Sequence, residues 1–298
     1  MKELQALLKI VNEVSGFIQD NYYKNQAKFL KQYDHVNVSG DLQKGIDEIV
    51  NEKIITLIKE ANIPAVIISE ETGIIKLVAE PEYFLLLDPI DGSNNVRPWF
   101  TPQPNLVISL GLGLLRDLKN KGLDAIEISI AGEIFSPNIY YSLKNEGAFF
   151  TNNIVKHKLI PALNCNMRHI PVIGLDLDKK DIFSGELQKV VSQKILVRRL
   201  GSTILDLCQV ASGQYDAYIS EGKRLKITDV CQPYALITAA GGFMKVIPYY
   251  NGKILRQNFL YDCLENEKLL NEIRFTIIAA GNEVLLQELQ ELLKLNDA

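Results

Sequence analysis

The stretch LLLDPIDGSNN, Leu85 to Asn95, carries the reading of this chain. An apolar, strand-like run ends in two aspartates, Asp88 and Asp91, with a proline between them and Gly-Ser behind them. Asp88 is expected at the end of a strand running from Phe84 to Leu87. Pro89 fixes the next φ angle, so the chain is expected to turn there and bring Asp91 back towards the same point. Two carboxylates so placed repel unless a cation lies between them, and burying their charge unpaired is costly. Oxygen-only ligation suits a hard divalent ion, Mg²⁺, Mn²⁺ or Ca²⁺, rather than zinc. A calcium EF-hand loop counted from Asp88 fails at Ile90, Gly92, Ser93 and Trp99, where it requires oxygen ligands, a glycine and a closing glutamate. A purely structural reading stays open, with Asp88 capping a turn and Asp91 capping the helix that follows.

Two further places concentrate acid at element ends. Ser69-Glu70-Glu71-Thr72 follows the apolar run Val66 to Ile68, and Thr228-Asp229-Val230 begins an apolar helix that closes on Ala239-Ala240-Gly241-Gly242. Each has a bland alternative: Glu70 as a solvated loop residue, Asp229 as a helix N-cap. Gly92 and Ser93 open a turn into a short helix, whose outward N–H groups suit a phosphate.

Composition narrows the class. The chain has 298 residues, 47% hydrophobic and 23% charged, with a formal net charge of −4. It is long enough for a large core, and no excess of positive charge points to a nucleic-acid partner. The cysteines Cys165, Cys208, Cys231 and Cys263 form no CxxC pair, and MKELQALLKIVNEV is not a signal peptide; reduced thiols in a cytoplasmic protein are expected. The longest apolar run, Leu106 to Leu115, is about half of the roughly 20 residues that span a membrane, so no membrane partner is expected. His35, His157 and His169 are isolated and lack zinc spacing.

Leu4, Leu7, Leu8, Val11, Val14 and Ile18 predict an amphipathic first helix; Lys31 to Asp41 reads as a loop; Ile46, Ile49, Val50, Ile54, Leu57 and Ile58 predict a second helix with Asp47 in its first turn. Strands are predicted at Val66–Ser69, Phe84–Leu87, Leu106–Leu112, Ala125–Ile130 and Ile139–Leu143. Strands and helices then alternate: Ile170–Leu175, Gly185–Gln193, Thr203–Ser212, Val230–Ala240, Phe243–Ile247, Phe275–Ala279 and a last helix from Asn282. This pattern predicts a mixed α/β protein of two closely joined lobes, residues 1–160 and 161–298.

Glu-Glu, then Asp-Pro-Ile-Asp-Gly-Ser, then Asp229 with Tyr234, Ile237 and Ala240-Gly241-Gly242 behind it, resembles the inositol monophosphatase superfamily of metal-dependent, usually lithium-sensitive phosphatases. The resemblance runs from about Asp41 to Val246. It implies a layered α/β/α/β/α sandwich, commonly a homodimer, with two or three Mg²⁺ ions, Mn²⁺ as a substitute, and a small phosphorylated substrate. By the same resemblance Glu70, Asp88, the Ile90 carbonyl, Asp91 and Asp229 match the metal ligands, and Ser93 with Asp47 the pair that orients the attacking water. Gly201, Ser202 and Thr203 match a helix start that contacts the substrate; a plain N-cap by Ser202 is the alternative.

Thr228 stands where many relatives have Trp, and Val230-Cys231-Gln232-Pro233 replaces the frequent Ala-Ala, with Pro233 expected in a first helical turn. The segment Gly222 to Asp229 looks like the branch that acts on both inositol monophosphate and fructose 1,6-bisphosphate. Lys223, Arg224 and Lys226 would hold a second phosphate, or else form a solvated basic turn. Alternatives are an adenosine 3′,5′-bisphosphate phosphatase and a non-catalytic binding protein on the same fold. Gly111-x-Gly113 lacks the third glycine of a dinucleotide fingerprint, and Asp-x-x-Asp is not the Asp-x-Asp of haloacid dehalogenases.

Overall fold

The computed structural model describes residues 2–24, 32–36, 42–96, 103–177, 185–255 and 258–295. Helix α1 (Lys2–Tyr22) buries Leu4, Leu7, Val11, Val14 and Ile18 along one stripe, as its spacing predicts. Strands β1 (Gln32–Val36) and β2 (Leu42–Lys44) pair antiparallel. They correct the expected loop: QYDHV has no apolar alternation, so its partner rather than its pattern makes it a strand. The rest of Lys31–Asp41 lies outside the described residues. Helix α2 (Gly45–Glu60) follows, with Asp47 buried in its first turn.

Next come β3 (Ala65–Ser69), β4 (Gly73–Lys76), β5 (Tyr83–Asp91), β6 (Val107–Leu114), α3 (Leu115–Lys121), β7 (Ile126–Glu133), β8 (Ile139–Leu143), β9 (Gly147–Thr151) and β10 (Lys156–Lys158). They build an eight-stranded sheet in the order β10-β9-β8-β7-β6-β5-β3-β4, antiparallel except for the β3–β5 pair. The second half adds β11 (Val172–Leu175), α4 (Gly185–Val191), β12 (Leu196–Arg198), α5 (Thr203–Ala211), β13 (Ala217–Leu225), α6 (Ile227–Ala240), β14 (Phe243–Tyr250), β15 (Lys253–Ile254), α7 (Phe259–Glu265), α8 (Glu267–Glu272), β16 (Arg274–Ala280) and α9 (Glu283–Leu292). Its six strands run β12-β11-β13-β16-β14-β15.

Three cores separate five layers. Leu7 and Val14 of α1 and Ile54 and Ile58 of α2 pack on Ile67, Leu85 and Leu87 of the larger sheet. Its other face, with Phe84 and Leu86, meets Leu205 of α5 and Val230 and Ile237 of α6, which in turn meet Phe275 and Ile277 of the second sheet. Leu187 and Val190 of α4 and Leu285 and Leu289 of α9 cover the far face through Ile173, Ile219 and Ile278. The result is the α/β/α/β/α sandwich. Among the described residues no helix is long and apolar enough to cross a membrane.

The strand carrying DPID departs from the expected turn. It stays extended through Asp91, and Asp88 pairs with Ser109 while Asp91 pairs with Val107, so three steps on β5 match two on β6. That is a β-bulge at Pro89, a place where a strand tolerates proline. Its consequence is decisive, because residues an odd number apart on a regular strand point to opposite faces. The extra residue puts Asp91 on the same face as Asp88, towards the inter-sheet layer, while Leu85, Leu87 and Ile90 pack in the α1–α2 core.

Candidate metal centre and cavity

Four acidic side chains are brought to one side of the site by three different backbone devices. Asp88 and Asp91 come from the bulged end of β5. Glu70 follows the end of parallel neighbour β3, and its N–H donates to Leu87 O at 3.0 Å. Asp229 sits in the first turn of α6, which starts at Ile227 rather than near Val230. Asp229 is therefore not the N-cap; that position is Lys226, whose backbone N–H donates to Asp229 Oδ2 at 2.7 Å. Pro233 consequently lies well inside α6 instead of its first turn, and it leaves the Asp229 carbonyl without the amide that would close the helix ladder.

Carboxylate oxygens of Glu70, Asp88 and Asp229 lie within 4.8 Å of one another. Asp88 is 1% exposed, and neither of its oxygens has a hydrogen-bond partner among the described residues. Burial, then Glu70, Asp91 and Asp229, drive its pKa well above the usual carboxylate range. Burial and Glu70 push Asp229 up in the same way. Asp91 is pushed only to about 6: burial raises it, while hydrogen bonds from Ser202, Ile204 and Gly92 pull it back. A buried carboxylate with both oxygens unpaired, in an all-oxygen set, fits a hard divalent cation. Glu70, Asp88, Asp91 and Asp229 would hold it, with the Ile90 carbonyl beside them.

Asp91 also joins the two halves of the fold. Its Oδ2 accepts from Ser202 Oγ and from Ile204 N, both at 2.6 Å, at the start of α5. Ser202 in turn accepts from Leu205 N at 3.2 Å, so it is the N-cap of α5 and its hydroxyl points to Asp91. The Gly92 amide, read from the sequence as open to a phosphate, is turned onto Asp91 as well.

Beside these carboxylates is a cavity of about 170 Å³ bordered by Ile90, Ser93, Gly201, Thr203, Arg224 and Lys226. Asp47 is not among the described residues that line it, and is buried in α2. The basic trio is not one patch. Lys223 is exposed, outside the cavity lining, and stacks 4.2 Å from the centre of the Tyr249 ring. Arg224 reaches the cavity paired with Asp176. Lys226 points into the acidic cluster, its Nζ 2.7 Å from Glu70 Oε1. The separation has a local cause: β13 loses register between Ser220 and Leu225, and Lys223 sits at φ +50°.

Sequence reasoning missed Asp176 and Asp206, both on the cavity wall, which Arg199 and Tyr218 also line. Asp176 had a signal, since it ends an apolar strand as Asp88 does. Asp206 accepts from Leu200 N at 3.1 Å and pins the loop before α5; burial raises it to about 7. It also missed Asn95, whose Nδ2 donates to Asn105 O at 2.9 Å and Leu200 O at 3.0 Å, clasping the DPIDGS loop to the α5 loop.

That clasp explains Gly201, which has φ +77° and where a Cβ would lie 2.3 Å from Asn95 Oδ1. Gly201→Ala is expected to destabilise the protein by about 2 kcal/mol or more, combining left-handed strain with the clash. Urea unfolding reads this directly; an unchanged midpoint would refute the close approach.

A five-layer sandwich with strand-end carboxylates facing a polar cavity is the architecture of inositol monophosphatase-like phosphatases. The profile of the inositol monophosphatase family matches residues 2–291, and the chain belongs to that family. It is 27% identical over 220 residues to a bifunctional NADP phosphatase/NAD kinase of Methanococcus maripaludis, covering 70% of this chain and 38% of that protein. The chain thus spans less than half the length of that relative. It is 24% identical over 264 residues to a fructose-1,6-bisphosphatase/inositol-1-monophosphatase of Methanothermobacter thermautotrophicus, covering 87% of this chain and 86% of that one. Among solved structures, an inositol monophosphatase–fructose 1,6-bisphosphatase superposes with a TM-score of 0.73 at 23% identity, over 98% of this chain and all of that one (100%). The extragenic suppressor protein SuhB of Bartonella henselae gives 0.73 at 19% identity, over 99% of this chain and 100% of that one. The family and the names of these relatives indicate a phosphatase, a hydrolase.

Proposed function

We propose that this protein is a Mg²⁺-dependent phosphomonoesterase that releases phosphate from inositol monophosphate, fructose 1,6-bisphosphate or both by attack of water. The observation that carries the reading is Asp88: a buried carboxylate, both oxygens unpaired, within a cluster of acids that open onto a polar cavity. A divalent ion held there supplies positive charge against the phosphate oxygens and acidifies a water. The chain's own part is to hold and orient. Asp91, locked by Ser202 and Ile204, fixes the α5 loop and hence one wall of the cavity. Ser93, which lines the cavity, orients the water for in-line attack in this reading, while Asp47, buried in α2 outside that lining, keeps its assigned part only through the family resemblance. No covalent intermediate on the chain is required.

Of Lys223 and Arg224, Arg224 is the better placed for a second phosphate, since it lines the cavity and Lys223 does not. Arg224→Ala is expected to lower kcat/KM for fructose 1,6-bisphosphate by about ten- to a hundredfold, the equivalent of one charge-assisted hydrogen bond of roughly 1.5–3 kcal/mol, and to change inositol 1-phosphate hydrolysis much less. Lys223→Ala is expected to change neither. Equal losses on both substrates would place Arg224 in general support of the site. The assay is phosphate release from a panel at one Mg²⁺ concentration: inositol 1-phosphate, fructose 1,6-bisphosphate, adenosine 3′,5′-bisphosphate and NADP. Turnover confined to either nucleotide would overturn the sugar assignment while leaving the chemistry intact.

A further inference from the structure

Lys226 was expected to face substrate, but its surroundings give it another task. Its backbone N–H is held by Asp229 Oδ2 at 2.7 Å, and its ammonium lies 2.7 Å from Glu70 Oε1. The side chain is 10% exposed and that of Glu70 16%, so this is no solvent-screened surface pair. Lys226 thereby touches two of the carboxylates that fit a divalent ion. Arg224, which also lines the cavity, is held by Asp176 instead. An ammonium at hydrogen-bond distance from Glu70 and a divalent ion on that same carboxylate repel each other strongly in a poorly screened site.

We propose that Lys226 is the built-in counter-ion of the acidic cluster: it balances Glu70 while the cluster holds no metal and must give way when a divalent cation binds. This rests on reading the cluster as a metal centre. Lys226 then makes the metal-free protein tolerate its buried acids and holds metal affinity down. The site becomes one that fills and empties with the free cation concentration.

The test uses Mn²⁺ without substrate, titrated by calorimetry into the full chain and its Lys226→Met and Lys226→Arg variants, with thermal unfolding in EDTA alongside. Lys226→Met is expected to bind Mn²⁺ at least about tenfold more tightly, as loss of a charge-assisted contact competing with the ion implies. It is also expected to unfold at a lower temperature in EDTA, while Lys226→Arg stays near wild type in both. Should Lys226→Met fail to fold in EDTA, Mn²⁺ is expected to restore it; failure to fold at saturating Mn²⁺ overturns the proposal. Equal or weaker Mn²⁺ affinity in a folded Lys226→Met also overturns it. If wild type and both variants bind no Mn²⁺, the metal-centre reading falls, and this proposal with it. Binding by wild type without the affinity gain removes only the role of Lys226.

Discussion

Replacing Asp88 by Asn is expected to reduce phosphate release by a thousandfold or more while making the metal-free protein more stable. The two effects have one origin. Asp88 is buried with both oxygens unpaired, and its neighbours Glu70, Asp91 and Asp229 add repulsion to the cost of burial. In the absence of metal that charge only destabilises the fold, so a neutral amide of nearly the same shape relieves it. With metal, the same charge is a ligand, and losing several kcal/mol of transition-state stabilisation corresponds to about three decades in rate. The pH dependence fixes the sign. The unfolded chain releases carboxyl protons near pH 4, whereas folded Asp88 and Asp229 keep theirs well above that and Asp91 keeps its own to about 6. The folded state therefore binds more protons, and wild-type stability in chelator falls as pH rises from about 4 through 6 and beyond. Asp88→Asn is expected to flatten that fall and to raise the neutral-pH melting temperature by a few degrees. Thermal scans in EDTA across this range check it. A variant that melts lower than wild type throughout, or that keeps full turnover with metal, would show that Asp88 is not the strained centre of the site.

Much of this site was legible because its chemistry is compressed into short strings. DPIDGS, the Ser69-Glu70-Glu71 strand end and the Asp229 helix start named every member of the acidic cluster, and each apolar run beside them became the strand or helix its period indicated. What stayed hidden depends on backbone irregularity. A strand of strict period 2 would have sent Asp88 and Asp91 to opposite faces, and only the bulge against Ser109 and Val107 reconciles them. No local pattern announces the register loss in β13. Lys223, Arg224 and Lys226 therefore look like one basic patch in sequence and occupy three environments in space: the Tyr249 ring, Asp176 and Glu70. The Asn95 clasp to Asn105 and Leu200 joins residues far apart in the chain and needs the packed sandwich to exist. The Gln32–Val36 strand was missed because polar residues carry no period.

Removal of divalent cations is expected to abolish turnover entirely, an effect at least as large as that of Asp88→Asn. Lys226 cannot substitute for the ion, because Glu70 already engages it. Without metal, the phosphate would meet Glu70, Asp88, Asp91 and Asp229 as bare acids, and like charges at this range repel binding as well as transition state. Readdition of Mg²⁺ or Mn²⁺ is expected to restore the rate, whereas Ca²⁺ serves less well because it takes more ligands in looser geometry. The most direct measurement is phosphate release from inositol 1-phosphate and fructose 1,6-bisphosphate by the same preparation, first in excess EDTA and then with Mg²⁺ titrated back past the chelator. No detectable turnover in EDTA and saturable recovery with Mg²⁺ is the predicted result; full turnover in EDTA would contradict a metal centre at Glu70, Asp88, Asp91 and Asp229.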